Sequence, residues 1–372
     1  MYNSWVEISR SAIIHNLAQY QRLVGSEVAV MPIVKSNAYG HGMAEIARLV
    51  APRVKWLGVV SLGEALELRR LGIKRRIFVL SYVSQQYLSA GIKQRIDLPI
   101  YDLESAKLIN AVAGRLKIKA RLHIKVDTGA TRVGILTSQV GGFVQQLTTL
   151  PNLKMEGIYS HFAASEENQK YTGLQLKRFQ QVLADLKIEI PTRHFACSAA
   201  ILVEPKAHFN LIRLGLGLYG LWPSELVRNL AQKKYPGFEL KPALTWKTTI
   251  IQVKTISAKT KIGYGCSYTA KTKMKIAVIA VGYWEGYDRH LSNKTEVLVG
   301  NKRCPLVGRI CMNISMIDVS KVRDVKVGQE VVLLGKQGRE EITAEELAGR
   351  IGTINYELVT RINPILERRY LD

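Results

Sequence analysis

Lys35 stands in Val34-Lys35-Ser36-Asn37-Ala38-Tyr39-Gly40-His41-Gly42, directly after the first strongly apolar run, Val28-Ala29-Val30-Met31-Pro32-Ile33-Val34. A lysine at the carboxyl end of a buried strand is poorly solvated, which makes its ammonium form costly. Two glycines and a tyrosine follow at once, as in a loop that wraps a polar ligand, so the segment reads as an amine nucleophile beside an anion or cofactor site. A surface lysine capping a strand fits the same spacing, and the residues alone leave both readings open. Polar residues at the ends of apolar runs recur at Lys125-Val126-Asp127-Thr128-Gly129, Arg132, Ser160-His161, Cys197-Ser198 and Arg213. Lys125 alternates inward within Leu122-His123-Ile124-Lys125-Val126, where a lysine needs a partner or a changed charge state. Taken singly, His161 reads as a structural hydrogen-bonding residue and Arg213 as one half of an ion pair at a domain interface; their joint recurrence is the informative feature. Arg213-Leu214-Gly215-Leu216-Gly217-Leu218 adds backbone freedom suited to turning amides toward a phosphate.

Such residues act together only if the scaffold gathers the strand ends. Apolar runs at 28–34, 56–60, 77–80, 96–100, 118–126, 153–160, 192–196 and 210–214 alternate with helical patterns near 43–50, 62–71, 84–91, 102–115, 137–149, 168–186 and 199–204. Asp102 is placed to cap the fourth of these helices. Eight strands with intervening helices is the count for a (β/α)8 barrel of the TIM type, whose chemistry collects at the carboxyl ends of the strands. An open doubly wound sheet is the competing architecture. The texture changes after Pro236-Gly237: runs at 243–256, 274–282, 295–299, 303–310, 314–319 and 329–333 follow one another without long helices, as in a mainly β domain. One helix is expected at 343–351, where Thr343 and Glu346 form a capping box. This places a barrel domain over 1–238 and a β domain over 239–372, with Trp5-Val6-Glu7-Ile8 available to pair with the latter.

Bulk composition narrows the function classes. The 372 residues are 47% hydrophobic and 8% aromatic, enough for two ordered domains. No apolar run reaches the length of about 18 residues needed to span a bilayer, and the N-terminus has no signal-like pattern. Cys197, Cys266, Cys304 and Cys311 show no CxxC spacing, as expected of reduced thiols in a cytoplasmic protein without a metal site. The net charge of +23 comes from 53 Lys and Arg against 30 Asp and Glu, scattered in short clusters. No zinc-finger, RNP or GXXG signature accompanies it, so a basic surface that steers anions is expected rather than specific nucleic-acid binding.

The ordered motifs carry a resemblance. The stretch around Lys35 and Lys125-Val126-Asp127-Thr128-Gly129 are followed by Tyr159-Ser160-His161-Phe162-Ala163, Ser198-Ala199-Ala200, Arg213-Leu214-Gly215, Gly263-Tyr264-Gly265, Val281-Gly282-Tyr283, Gly308-Arg309-Ile310-Cys311-Met312 and Asn355-Tyr356-Glu357. In these motifs, over essentially its whole length, the chain resembles alanine racemases, pyridoxal phosphate (PLP) enzymes of fold type III. The resemblance implies that Lys35 carries PLP covalently and is one catalytic base, with Tyr264 the other on the opposite face of the substrate α-carbon. It implies a head-to-tail homodimer, each site joining Lys35 of one subunit to Tyr264 of the other, and D-alanine made for peptidoglycan. Arg213 corresponds to the arginine facing the pyridine nitrogen, and His161 to the residue that orients it. Tyr39, Ser198, Gly215, Leu216 and Tyr356 correspond to the phosphate cradle. Arg132 corresponds to the arginine near the phenolic oxygen and substrate carboxylate, and Lys125 to a lysine carbamylated in many members, which would hold Arg132. Tyr283, Arg289 and Arg309 correspond to entrance-channel residues, with Glu166 an acidic partner across the dimer, and the Met312 amide to the group that meets the substrate carboxylate. Without the resemblance, Tyr264 would read as a turn residue and Arg309 as a strand-end ion pair.

This sequence departs from the family pattern at Ala130-Thr131, where Met-Gly is common, at Cys197 for Asn, at Leu214 for Pro and at Asn313 for Asp. Asn313 also occurs in relatives acting on serine, so a serine or broad-specificity racemase is the nearest alternative within the same chemistry. A PLP decarboxylase would use a cysteine at the site, for which Cys311 is the candidate, but would leave Tyr264 without a purpose. A non-catalytic PLP carrier would need Lys35 and the phosphate residues but not Tyr264 and Arg132 together.

Overall fold

The strand order follows from which apolar runs are buried on both faces. In the computed structural model, which describes residues 3–372, Trp56–Val59 is buried at every position, as are the last three residues of Arg76–Val79. A strand without a wet face belongs inside a parallel sheet with helices outside it. The first of two compact units, Ala12–Ala38 with Met43–Lys241, is such a sheet closed on itself. Its strands are Ala29–Pro32, Trp56–Val59, Arg76–Val79, Leu98–Ile100, Ala120–Asp127, Leu153–Tyr159, Thr192–His194 and Leu211–Leu214. Neighbours run parallel around the ring: Ile33 bridges to Gly58, Trp56–Val59 pairs with Arg76–Val79, and Phe78 bridges to Asp97. Leu98–Ile100, Ala120–Asp127, Leu153–Tyr159 and Thr192–His194 continue the ladder. The Arg213 amide bonds the Ala196 carbonyl at 3.0 Å, and Leu211–Leu214 pairs with the first strand, closing the eight-stranded barrel. The barrel expected from the eight apolar runs is the observed fold, and the doubly wound alternative is excluded by this closure.

The helices between strands sit where the periodicity puts them, including Leu103–Leu116 with the Asp102 carboxylate accepting from the Ser105 amide at 2.7 Å. Two further helices, Arg10–Val24 and Glu225–Lys234, had no counterpart among the helical patterns of the sequence. The first buries Ala12, Ile13, Asn16, Leu17 and Tyr20, but its apolar stripe carries a polar Asn and no acidic first turn, so its periodicity is weak. The second is capped by Ser224 and buries only Val227 and Ala231, which leaves a mostly polar pattern.

The other unit comprises the chain up to Ser11, Tyr39–Gly42 and Pro242–Asp372. The division falls at Lys241/Pro242, three residues after the expected 238, and Tyr39–Gly42 leaves the barrel group altogether. A Cβ on Gly40 would lie 2.2 Å from the Val359 carbonyl oxygen, and one on Gly42 1.8 Å from the Tyr370 hydroxyl, so these glycines pack backbone against residues of the second unit. Its sheet runs Lys302–Pro305, Glu296–Val299, Glu330–Gln337, Leu244–Ile256, Ser4–Ser9 and Glu367–Leu371, with Met274–Ile279, Ser315–Asp318 and Glu340–Ile342 attached. Ser4–Ser9 pairs antiparallel to Leu244–Ile256, Val6 opposite Trp246, and parallel to Glu367–Leu371. Leu244–Ile250 alternates buried and half-buried residues, the pattern of an antiparallel strand with one core face. The helix Ala344–Ile351 is capped by the Thr343 hydroxyl, which accepts from the Glu346 amide at 3.1 Å.

Candidate active site

Lys35 opens a turn of unusual hand. Ser36, Asn37, Ala38 and Tyr39 all have φ between 52° and 54°, a left-handed turn without a glycine. Each such residue costs about 1–2 kcal/mol, so neighbours must hold the turn. The Glu64 carboxylate does so, accepting from the Ser36 amide at 2.7 Å and the Val60 amide at 2.8 Å. The Asn37 side chain accepts from the Met43 amide at 3.0 Å, and the Ala38 amide reaches the Val34 carbonyl at 3.0 Å. Glu64 went unnoticed in the sequence, although Ser61-Leu62-Gly63-Glu64 has capping-box spacing and the Ser61 hydroxyl accepts from the Glu64 amide at 3.2 Å. Burial lowers the Lys35 ammonium pKa, nearby Arg132 lowers it further, and Glu64 partly opposes them.

Around it the barrel concentrates cations. Lys125, 7% exposed, has its pKa lowered to about 8 by burial and then by Arg213, Arg132 and Lys35, against Asp127. Its Nζ stands 5.1 Å from the centre of the Tyr159 ring, and the Arg213 guanidinium lies over the same ring at 5.5 Å. One carboxylate oxygen of Asp127 accepts from the amides of Gly129, Ala130 and Thr131 at 2.8, 3.0 and 3.1 Å. These bonds shape the loop that carries Arg132, in which Ala130 and Thr131, the latter with φ 49°, replace the flexible pair expected there. Arg132 is exposed, and no carboxylate lies within ion-pair distance of it among the described residues.

Arg213, only 3% exposed, directs its donors into the barrel interior. It bonds the carbonyls of Ser160, Phe195 and His194 at 2.6, 2.8 and 3.0 Å, and His161 Nδ1 at 3.3 Å. Burial brings its pKa down to about 10, still cationic at neutral pH. His161 is held well below its usual pKa by burial and by Arg213, Arg132, Lys125 and Lys35, so its neutral ring can accept from Arg213. A guanidinium only donates, so the 2.8 Å contact from Arg213 to His194 Nδ1 fixes that tautomer. His194 Nε2 must then donate to His123 Nδ1 at 2.9 Å, and His123 Nε2 faces Asp97 Oδ1 at 3.6 Å. His194, His123 and Asp97 are all fully buried, and nothing local in the sequence marks them, because their partners stand on other strands. Buried Ser198 accepts from the Gly215 and Gly217 amides at 2.9 and 3.2 Å, tying Leu216 and its neighbours into a tight turn at the end of the last strand.

Of the remaining expected residues, Glu166 belongs to the barrel unit and the others lie in the β unit. Tyr264 is 71% exposed at the tip of the Lys261–Ile262 and Tyr268–Thr269 hairpin, which is anchored by Ile262 in a small core with Met274, Ile276, Val278 and Met316. Gly265 beside it has φ 67°, and a Cβ there would stand 2.7 Å from Arg309 Nη1, so the Arg309 guanidinium lies against the Tyr264 turn. Within the chain, no carboxylate pairs with Arg309 among the described residues. The Tyr283 amide bonds the Cys311 carbonyl at 3.0 Å and the Trp284 amide the Met312 carbonyl at 2.9 Å, while Asn313 reaches Glu285 at 2.8 Å. Burial raises the Cys311 thiol pKa against the opposing charge of Arg289, so the thiol is protonated and a weak nucleophile. Tyr39 and Tyr356 tilt toward each other with ring centres 6.4 Å apart.

The comparisons with known proteins decide what this arrangement belongs to. Residues 8–223 match the family model for the N-terminal domain of alanine racemase, and residues 243–370 that for its C-terminal domain. The chain belongs to the alanine racemase family. An alanine racemase of Methanococcus maripaludis is 40% identical over 99% of this chain and 98% of its own length. The solved alanine racemase of Clostridium difficile superposes with a TM-score of 0.94 at 34% identity, covering 100% of this chain and 96% of that one. A histidine racemase of Leuconostoc mesenteroides superposes at 0.90 with 28% identity, covering 100% and 98%. The family is PLP-dependent. PLP brings a phosphate, a phenolate oxygen and a ring nitrogen, and the barrel residues suit them: a lysine whose pKa is lowered, the further cations Lys125 and Arg132 near it, and a donor-only arginine.

Proposed function

We propose that this chain interconverts L-alanine and D-alanine with PLP, Lys35 Nζ and Tyr264 Oη exchanging the α-proton on opposite faces. The observation that carries the reading is the collection of Lys35, Lys125, Arg132 and Arg213 in one barrel unit of a chain matched to alanine racemases along its length. When bound, PLP supplies an electron-withdrawing ring that makes the substrate α-hydrogen acidic. Everything else falls to the chain. The lowered pKa leaves a larger fraction of Lys35 as free amine, able both to attach the cofactor and to take a proton. Ser198, Gly215 and Leu216 hold the phosphate. Arg213 donates to the ring nitrogen and keeps its own proton, which tempers electron withdrawal and disfavours side reactions; the neutral His161 keeps it in place. Arg132 receives the phenolate and the substrate carboxylate, and a carbamylated Lys125 converts a strained buried cation into an anion facing that arginine.

Tyr264 enters from a second subunit in a head-to-tail homodimer. In support, Tyr264, Tyr283, Trp284, Met312 and Ile314 are exposed on the β unit, more apolar surface than a free loop region ordinarily presents. Tyr283, Arg289 and Arg309 line the approach to the site, with Glu166 their acidic counterpart across the dimer. The product serves peptidoglycan synthesis in the cytoplasm; among the described residues no helix is long and apolar enough to cross a membrane. Borohydride reduction of the PLP-loaded protein followed by peptide mapping tests the assignment of Lys35. The cofactor mass is expected on the peptide bearing Lys35, and its recovery on Lys125 would overturn the assignment.

A further inference from the structure

Glu285 is a buried carboxylate that none of the roles above uses. It is 3% exposed, in the segment that follows the strand Met274–Ile279. One of its oxygens accepts from the Gly282 amide at 2.8 Å and the other from the Asn313 side-chain amide at 2.8 Å. The two segments that it joins are in backbone contact. A Cβ on Gly282 would stand 2.2 Å from the Cys311 carbonyl oxygen and 2.4 Å from that of Met312. Hydrogen bonds cross from the Tyr283 amide to Cys311, from the Trp284 amide to Met312 and from the Ser315 hydroxyl to Val281. Within the second segment the Cys311 amide returns to the Ile314 carbonyl at 3.0 Å, so Met312 and Asn313 form the tip of a tight turn. Met312 itself is exposed, and its side chain supplies little to fix that tip.

We propose that Glu285 is a positioning residue for substrate: through Asn313 and Gly282 it holds the Met312 turn so that the Met312 backbone amide meets the substrate carboxylate. This rests on the racemase reading for the identity of the carboxylate. It also accounts for Asn at 313. An aspartate there would set two carboxylates at hydrogen-bond distance, where their repulsion disfavours ionising both and the bond that holds the turn is lost. The neutral amide of Asn313 instead donates to Glu285 and keeps the turn tied.

The test uses the PLP-loaded enzyme with N313D, E285Q and the double variant, each checked for cofactor absorbance. N313D is expected to raise the KM for L-alanine roughly tenfold or more at neutral pH with kcat changed by less than about threefold, since the loss falls on binding. Its KM should fall as pH is lowered and the two carboxyl groups share a proton. In E285Q/N313D the glutamine donates where the asparagine did, and KM returns to within about threefold of the parent. Propionate, which offers a carboxylate but no amine, gives a second reading by calorimetry: its affinity should follow the same order. Unchanged KM and propionate affinity in N313D, or no rescue in the double variant, would overturn the proposal. A parent enzyme that inverts no alanine would contradict the racemase reading instead, and propionate affinity would still judge Glu285.

Discussion

At the scale of residues, the account turns on proton positions. Replacing Tyr264 by Phe is expected to leave cofactor absorbance intact and to cut racemisation roughly 100-fold or more, with α-hydrogen exchange persisting from one enantiomer. Equal loss of exchange from both enantiomers would contradict separate faces. Lys125 gives a pH signature. Its pKa of about 8 means the neutral amine, the form that captures carbon dioxide, dominates above about pH 8 instead of above 10.5. At fixed dissolved carbon dioxide, isotopically labelled carbamate on Lys125 should therefore increase as pH rises through that value and vanish in K125R. Absence of label in the parent would refute carbamylation. The same direction has a stability consequence: the unmodified folded chain holds fewer protons at Lys125 than the unfolded one between about 8 and 10.5, so stability rises with pH there and the cost of burial is full below it. The sequence displayed Lys35, Lys125, His161 and Arg213 because charge interrupts apolar runs. It concealed Glu64, Glu285 and the His194–His123–Asp97 chain, whose importance depends on what lies opposite them in space.

At the scale of elements, the left-handed turn from Ser36 to Tyr39 and the glycines after it are the most constrained backbone near Lys35. Gly40→Ala combines φ +85° with a Cβ 2.2 Å from the Val359 carbonyl oxygen. It should cost about 1–3 kcal/mol, read as a lowered thermal midpoint, and an unchanged midpoint would show that Val359 can yield. The barrel strands were legible because burial on both faces leaves continuous apolar runs, and the capping box of Thr343 and Glu346 was legible because it is purely local. The handedness of the turn was not, since Ser, Asn, Ala and Tyr carry no glycine-like signal for positive φ. Arg10–Val24 and Glu225–Lys234 escaped for a related reason: their buried faces are narrow and mixed with polar residues.

At the scale of the whole molecule, Lys35 and Tyr264 belong to different compact units, and the proposed dimer supplies each barrel with the other subunit's tyrosine. Co-expressing K35A with Y264F chains tests this by complementation. Random pairing makes half the dimers mixed, each with one intact site, so about a quarter of parental activity should return from two inactive parents. Activity no greater than the separate variants would rule out shared sites. Alternation of apolar runs displayed the two-domain build, but nothing local in the sequence announces that Ser4–Ser9 lies between Leu244–Ile256 and Glu367–Leu371, because that pairing closes over most of the chain. The charge of +23 far exceeds what Lys35, Lys125, Arg132 and Arg213 contribute within the barrel.

Inversion at the α-carbon of alanine is measured by following deuterium incorporation and chirality together for L-alanine, D-alanine and L-serine in heavy water with PLP present. Rapid exchange with inversion of both alanine enantiomers and slow reaction of serine is the predicted result. Exchange of neither alanine enantiomer in a protein that carries PLP on Lys35 would contradict the account, and faster turnover of serine would reassign its substrate.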